Sequence, residues 1–330
     1  MTKISLIGVS PASVSFALTT KNLTPKPIIS AYSSDSKIFD QIKHLEAIDD
    51  ASNNLEKVVL NSDMIVLDLS ISEIKSQFEQ LRHLVKNDCI ITDFSHSKKR
   101  VESWAIEILP QNFCYIPARP LIKMEIPQLS DSNPQIFKGI RYCIMESEKS
   151  TKDGMEWFVK FIELLGNKPF FLDIHEHDSY TAATEILLPI VSSSIINSLS
   201  KNDSWSEMRK FVNFEFEKQT ELANQDPIET EINSITASQP LIYWLDQTIK
   251  SLYEIRNSID QNSDELLNLL IDAWEVKGKI FAGIDEDLPQ HVELPSSSQS
   301  IASAMFGAKL ASRMGDQGDK NLRKSWEYPR

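Results

Sequence analysis

The chain is short of glycine, with nine in 330 residues. Tight turns that let a backbone close around a phosphate are built from glycine, so few places here can supply one. Cysteine is scarcer. Cys89, Cys114 and Cys143 are far apart and odd in number. This excludes a disulfide framework and any Cys-x-x-Cys metal site, and the three are expected as small buried hydrophobes in a reducing compartment. No metal ligand set is expected. Basic residues are in deficit: 34 Lys and Arg stand against 47 Asp and Glu, a formal charge of −13. That balance excludes the basic face a nucleic-acid binder needs. No run of about 18 apolar residues stands out, so no membrane span is expected. The first strand begins so close to Met1 that no signal peptide is expected before it. Histidine is also rare, and none falls between His177 and His291. The expectation is a cytoplasmic protein that binds neither nucleic acid nor membrane.

What is present reads as a soluble globular chain: 41% hydrophobic and 25% charged residues over a length that suits two domains. The organising stretch is Lys3–Thr20, KISLIGVSPASVSFALTT. Ile4, Leu6 and Ile7 form a short apolar strand, Gly8 ends it, and Pro11 suits the first turn of a helix. Val14, Phe16, Ala17 and Leu18 give that helix an apolar face. Strand, glycine and helix at the start of a chain are the opening of a Rossmann domain, whose helix N-terminus holds a pyrophosphate. The fingerprint there is G-x-G-x-x-G, and its three glycine positions read Gly8, Ser10 and Ser13. The second strand, Pro27–Tyr32, ends in Ser33 and Ser34 rather than in the acidic residue that holds a ribose, with Asp35 and Lys37 just beyond. Asp68 closes the strand Asp63–Leu67 on the edge where ligands bind in open α/β sheets. A carboxylate there either bonds a ribose hydroxyl or repels a diphosphate.

Further strand patterns at Cys89–Asp93, Phe113–Pro117, Arg141–Met145 and Phe170–Leu172 alternate with helical ones, which implies a mostly parallel sheet covered on both faces. From Asp178 onward the pattern is helical: Asp178–Leu199 (interrupted by Pro189), Trp205–Ala223, Pro240–Ile259 and Ser263–Phe281. The predicted organisation is a Rossmann-like α/β domain over 1–172, an all-α domain over 173–290 that homodimerises, and a polar tail over 291–330 with one short helix at Ile301–Met314. The apolar positions Leu187, Leu188, Ile195, Ile196, Leu241, Trp244 and Leu245 are more than one small helical domain needs, which argues for the dimer.

Taken in order, these segments resemble the prephenate/arogenate dehydrogenase family of tyrosine biosynthesis, from Lys3 to about Phe281. IITDFSHSKKRV stands where the family has Asp-x-Gly-Ser-x-Lys, IPARPL where it has Gly-His-Pro, QIFKGIRYCIM where it has a Phe-x-Gly strand entry. EHDSYTAAT matches a His-Asp that opens the long interdomain helix, and QTELANQDPIE looks like Thr-Arg-x-Ala followed by Asp-Pro. The resemblance implies a Rossmann domain with a helical dimerisation domain, NAD or NADP as cofactor, and an oxidative decarboxylation. In that reaction a hydride passes from the substrate ring to nicotinamide and a carboxylate leaves as carbon dioxide.

Several roles the resemblance implies fall on unsuitable residues. The family histidine that accepts the hydroxyl proton is Arg119 here, and arginine stays protonated. The serine supporting that histidine is His96, so His96 is the alternative base. The arginine that anchors the substrate carboxylates is Glu221, a reversal of charge. The helix histidine before Leu-Pro-His is missing from Glu185–Ile190. His177 and Asp178 persist, with a structural role at the junction expected. The candidate catalytic residues are therefore His96, Lys98 and Arg119, and the candidate cofactor residues Gly8, Ser10, Ser13, Ser33 and Asp68, with NAD or NADP bound weakly. Three readings follow: a divergent member with weak or lost prephenate dehydrogenase activity, a non-catalytic dimeric scaffold or ligand sensor, and a dehydrogenase for another small anionic acid.

Overall fold

A computed structural model describes residues 2–124 and 126–282. Strands β1 (Lys3–Ile7), β2 (Ile28–Tyr32), β3 (Asp50–Ser52), β4 (Met64–Leu67), β5 (Ile90–Asp93) and β6 (Cys114–Tyr115) form one parallel sheet in the order β3-β2-β1-β4-β5-β6. Helices α1 (Pro11–Thr20), α2 (Lys37–Ile42), α3 (Leu55–Val59), α4 (Ile71–Leu81) and α5 (Lys98–Ile108) connect them. Because successive strand side chains point to opposite faces, β4 divides itself between two cores. Met64 and Val66 join the cluster around Phe16 of α1, and Ile65 and Leu67 the cluster around Phe78 of α4. Both faces are covered, which is why the strands read as continuous apolar runs.

The last strand patterns do not extend that sheet. β7 (Ala118–Pro120), β8 (Arg141–Ile144) and β9 (Lys168–Phe171) make a separate three-stranded sheet, with β7 antiparallel to β8 and β8 parallel to β9. Proline explains the break: Pro117 and Pro120 lack the N–H a central strand donates, so β6 stops at Tyr115 and the chain turns back as an edge. Helix α6 (Lys152–Leu164) lies between β8 and β9.

Beyond β9 the chain is helical: α7 (Ile174–Thr181), a π-helical turn (Ala182–Ile186), α8 (Leu187–Ser200), α9 (Trp205–Met208), α10 (Phe214–Thr220), α11 (Pro227–Thr236), α12 (Ser238–Asp260) and α13 (Glu265–Phe281). Pro189 does not interrupt the long helix as expected. In an α-helix its ring would press on the carbonyl of Glu185. The π-turn just before it, in which Leu187 N–H donates to Ala182 O, supplies the extra residue that relieves this contact. Trp205–Ala223, expected as one helix, is broken into short pieces, and α11 occupies a segment to which the sequence pattern assigns no element.

The described residues fall into two compact units, one ending at Gln247 and the other starting at Thr248. The expected boundary near Leu172–Asp178 lies inside the first. In that unit Ala182, Ile186 and Leu187 pack against Ala237 and Leu241. The helical run Ile174–Ser200 is, by length and composition, apolar enough to cross a membrane, with a mean hydropathy of 1.4 over its best window. The expectation of no such segment is corrected to that extent. The predicted tail, including Ile301–Met314, lies outside the described residues.

Candidate functional site

At the first βα turn, Gly8 is held at φ +86°. A Cβ at this position would lie 1.9 Å from the Asp68 carbonyl oxygen, so the surviving glycine is required by the close approach of β1 and β4. The helix behind it is capped from within. Ser10 Oγ accepts from Ala12 N at 3.1 Å and Ser13 N at 3.4 Å. Ser10 N donates to Ser13 Oγ at 3.0 Å and to Asp68 Oδ2 at 3.0 Å. Pro11 has no N–H. Every peptide nitrogen from Ser10 to Ser13 is thus either absent or donating to a side chain of the chain itself. A diphosphate binds at such a helix end through free amides and the positive end of the helix dipole. Here the amides are taken, and a carboxylate already answers the dipole. The turn therefore fits a dinucleotide poorly. Asp68, expected either to reach a ribose or to repel a diphosphate, instead binds the turn. Ser33 and Asp35 close a local exposed turn, with Asp35 N donating to Ser33 Oγ at 3.1 Å and Lys37 N to Asp35 Oδ1 at 2.9 Å.

A second group of charges gathers beyond the carboxyl end of β5. Asp93, the last residue of that strand, is fully buried. It accepts from Lys98 Nζ at 2.6 Å, from Tyr115 Oη at 2.7 Å and from Ser95 Oγ. Lys98 is fully buried too, and its ammonium also donates to Asp93 O at 2.7 Å and Ala118 O at 3.0 Å. All three of its donors are used. Lys98 therefore ties the parallel sheet to β7 and presents no free ammonium to a substrate. Burial lowers its pKa, with Asp93 acting against that, while burial and then Asp93 raise that of Tyr115 well above the usual value.

Helix α5 has no cap from its own Ser97. Asp178 of α7 supplies one, accepting from Lys98 N at 2.8 Å and Lys99 N at 3.0 Å. A carboxylate at a helix N-terminus is the favourable sign for the dipole. His177 Nδ1 lies 2.9 Å from Asp178 Oδ1, and the ring is buried, which lowers its pKa although Asp178 pulls it upward. This His-Asp pair locks α7 onto α5.

Arg119, on β7, points its guanidinium at Glu185. The pair is bidentate, Nη1 to Oε1 at 3.0 Å and Nη2 to Oε2 at 2.7 Å. His96 Nδ1 is 2.8 Å from Glu185 Oε2, at ion-pair distance, but its angle falls short of a hydrogen bond. The Arg119 side chain is 14% exposed, whereas Glu185 is 39% exposed and His96 42%. Burial alone would raise the Glu185 carboxyl; His96 and Arg119 outweigh it and bring it down to about 2. The structure thus joins His96 and Arg119 through Glu185, holds Lys98 apart in its buried network, and leaves Glu221 exposed on a short turn at 221–224 that packs on α8. Glu185 and Asp93 were not among the candidates. A signal for Glu185 was present: it is the sole charged residue between Asp178 and Lys201.

The strand order and the βα turn define a Rossmann-type domain, extended by helices. The sequence model described as "Prephenate dehydrogenase, nucleotide-binding domain" matches residues 16–170, beginning just after the altered turn. A prephenate dehydrogenase of Bacillus subtilis is 21% identical over 265 residues, covering 79% of this chain and 70% of that one. A crystal structure of prephenate dehydrogenase from A. aeolicus in complex with hydroxyphenyl propionate and NAD+ superposes with a TM-score of 0.76 at 18% identity, covering 85% of this chain and 98% of that one. Synechocystis arogenate dehydrogenase gives a TM-score of 0.69 at 17% identity, covering 84% and 99%. These likenesses support the prephenate dehydrogenase family, with its nucleotide-binding domain matched over residues 16–170.

Proposed function

We propose that this chain is a divergent member of its family whose prephenate or arogenate dehydrogenase activity is weak or lost. The observation that carries this is the Arg119–Glu185 pair. Where the resemblance calls for a proton acceptor there is a guanidinium, and both arms of its fork are engaged by a carboxylate of the same chain. An arginine does not accept the hydroxyl proton. General-base catalysis is commonly worth ~10²–10⁴-fold, and that contribution is missing unless His96 provides it. The nucleotide side supports the same reading: NAD or NADP would meet occupied amides and the Asp68 carboxylate.

The helical region supports a homodimer. Phe214, Ile228, Ile235, Ile242 and Tyr243 are exposed in the first unit, and α13 of the second buries none of its residues. Leu187 and Leu241, two of the positions expected to make the contact, are instead buried in the chain's own cluster. A dimer without turnover would serve as a scaffold or a ligand sensor. The buried, unpaired cysteines fit a reducing cytoplasm, with burial raising Cys89 to about 12 and Cys143 to about 11.

The test is a steady-state assay of NADH and NADPH formation with prephenate and with arogenate. Turnover is expected to be undetectable or far below ~10 s⁻¹, an ordinary enzyme value. Turnover near that value would overturn the proposal, and its loss in His96→Asn would then make His96 the base. Turnover only with a different small acid would favour the third reading.

A further inference from the structure

The Arg119–Glu185 pair differs from an ordinary surface ion pair in how its two halves are exposed. The guanidinium is largely enclosed, and the glutamate side chain that meets it is the more exposed of the two. That is the arrangement of a ligand seated in a recognition site. A bidentate guanidinium fork with a second nitrogen, here His96 Nδ1, alongside is also how proteins recognise a planar carboxylate. The other charges close by have their own partners: Lys98 is spent on Asp93, and Asp178 on the α5 amides and His177. Among the described residues the anion facing Arg119 is Glu185. That carboxylate is carried on the π-turn, an irregularity that recurs at functional sites and that re-aims one side chain relative to a regular helix.

We propose that Arg119 and His96 form a carboxylate-binding site which this chain fills with its own Glu185, and that removing the Glu185 side chain opens the site to small external carboxylates. The inference rests on the preceding reading only in locating the site on the substrate face. Wild-type turnover would overturn that reading and leave the binding result standing. Absence of binding in the opened site would overturn this inference and leave the loss of activity standing.

The physical ground is the cost of leaving a mostly enclosed guanidinium without a counter-ion. Removing one partner of such a pair leaves the other uncompensated, and an anion from solution restores it. The opened variant should therefore be stabilised by exactly the class of ion it has lost, and by mass action in proportion to RT ln(1 + [L]/Kd).

The experiment compares thermal melting of wild type, Glu185→Ala and Glu185→Ala/Arg119→Met in sodium acetate, sodium propionate and sodium chloride at matched ionic strength. Glu185→Ala is expected to melt lower than wild type in chloride. It should gain a saturable increment in acetate or propionate, about 2 °C at tenfold excess over Kd for a chain of this size. Wild type should show no difference between carboxylate and chloride, because its site is full, and the double variant none, because the fork is gone. If Glu185→Ala folds only when carboxylate is present, that is the same result in stronger form. If it does not fold in any buffer, Glu185→Gln keeps the side-chain volume without the charge, and the same contrast with wild type is expected, at higher concentration. A folded opened variant with no carboxylate-specific shift, a shift of equal size in wild type, or one that survives loss of Arg119 would each overturn the proposal.

Discussion

Asp68 and Ser10 show how much one side chain decides. Ser10→Gly alone restores only the second glycine of the fingerprint and leaves Ser13 and Asp68 on the turn, so it is expected to change nucleotide affinity little. Ser10→Gly with Asp68→Asn removes the charge as well. That charge is worth about 1 kcal/mol or more at a few ångströms in a partly solvated site, near fivefold in Kd. Calorimetric titration with NADH of both variants checks it, and equal affinities would show that the carboxylate is not what limits binding. Lys98 is the other residue whose role depends on burial. Lys98→Met keeps the volume but leaves Asp93 charged inside the protein, and unpairing a buried ion commonly costs 3–5 kcal/mol. Denaturant titration is expected to show a loss of that order; a loss under about 1 kcal/mol would contradict the buried network. The substitutions at Ser10, Ser13 and Arg119 were legible in the sequence because each replaces a residue type whose chemistry the role demands. That Asp68 closes the turn and Lys98 is sealed away was not legible: both depend on which strands lie side by side.

At the scale of elements, the α/β half was readable because buried parallel strands leave unmistakable apolar runs. The split into two sheets and the unbroken long helix were not. Both depend on how prolines are accommodated: Pro117 and Pro120 end a strand by lacking an N–H, while Pro189 is absorbed by a π-turn that no local pattern announces. The α7–α5 junction carries a pH dependence. His177 is buried and its pKa lies below the usual 6.5, so the unfolded chain takes up a proton first as pH falls. Stability should therefore decline from about pH 6.5 downward through the folded value. Glu185 acts in a lower window: with its carboxyl at about 2 against a usual 4.5, its contribution is full above about pH 4.5 and lost on approaching pH 2. Urea midpoints of wild type and His177→Gln across pH 7.5–5 check the first step. It should be shallower in the variant, and an equal slope would assign the step elsewhere.

At the scale of the whole molecule, the fold is that of a dehydrogenase, and fold alone does not carry the activity. The departures strike two separate anion sites, and at each the chain supplies its own carboxylate: Asp68 at the helix end and Glu185 at the arginine. Helices with one apolar face uncovered predict association, and light scattering is expected to give about twice the 37.5 kDa chain mass at micromolar concentration. A monomer would contradict the dimer. The most direct measurement of whether these sites are closed from within is a calorimetric titration of the wild-type protein with NAD, NADH, NADP and NADPH. Sites already filled predict no saturable heat below the millimolar range for any of the four. Micromolar binding of one of them would contradict this.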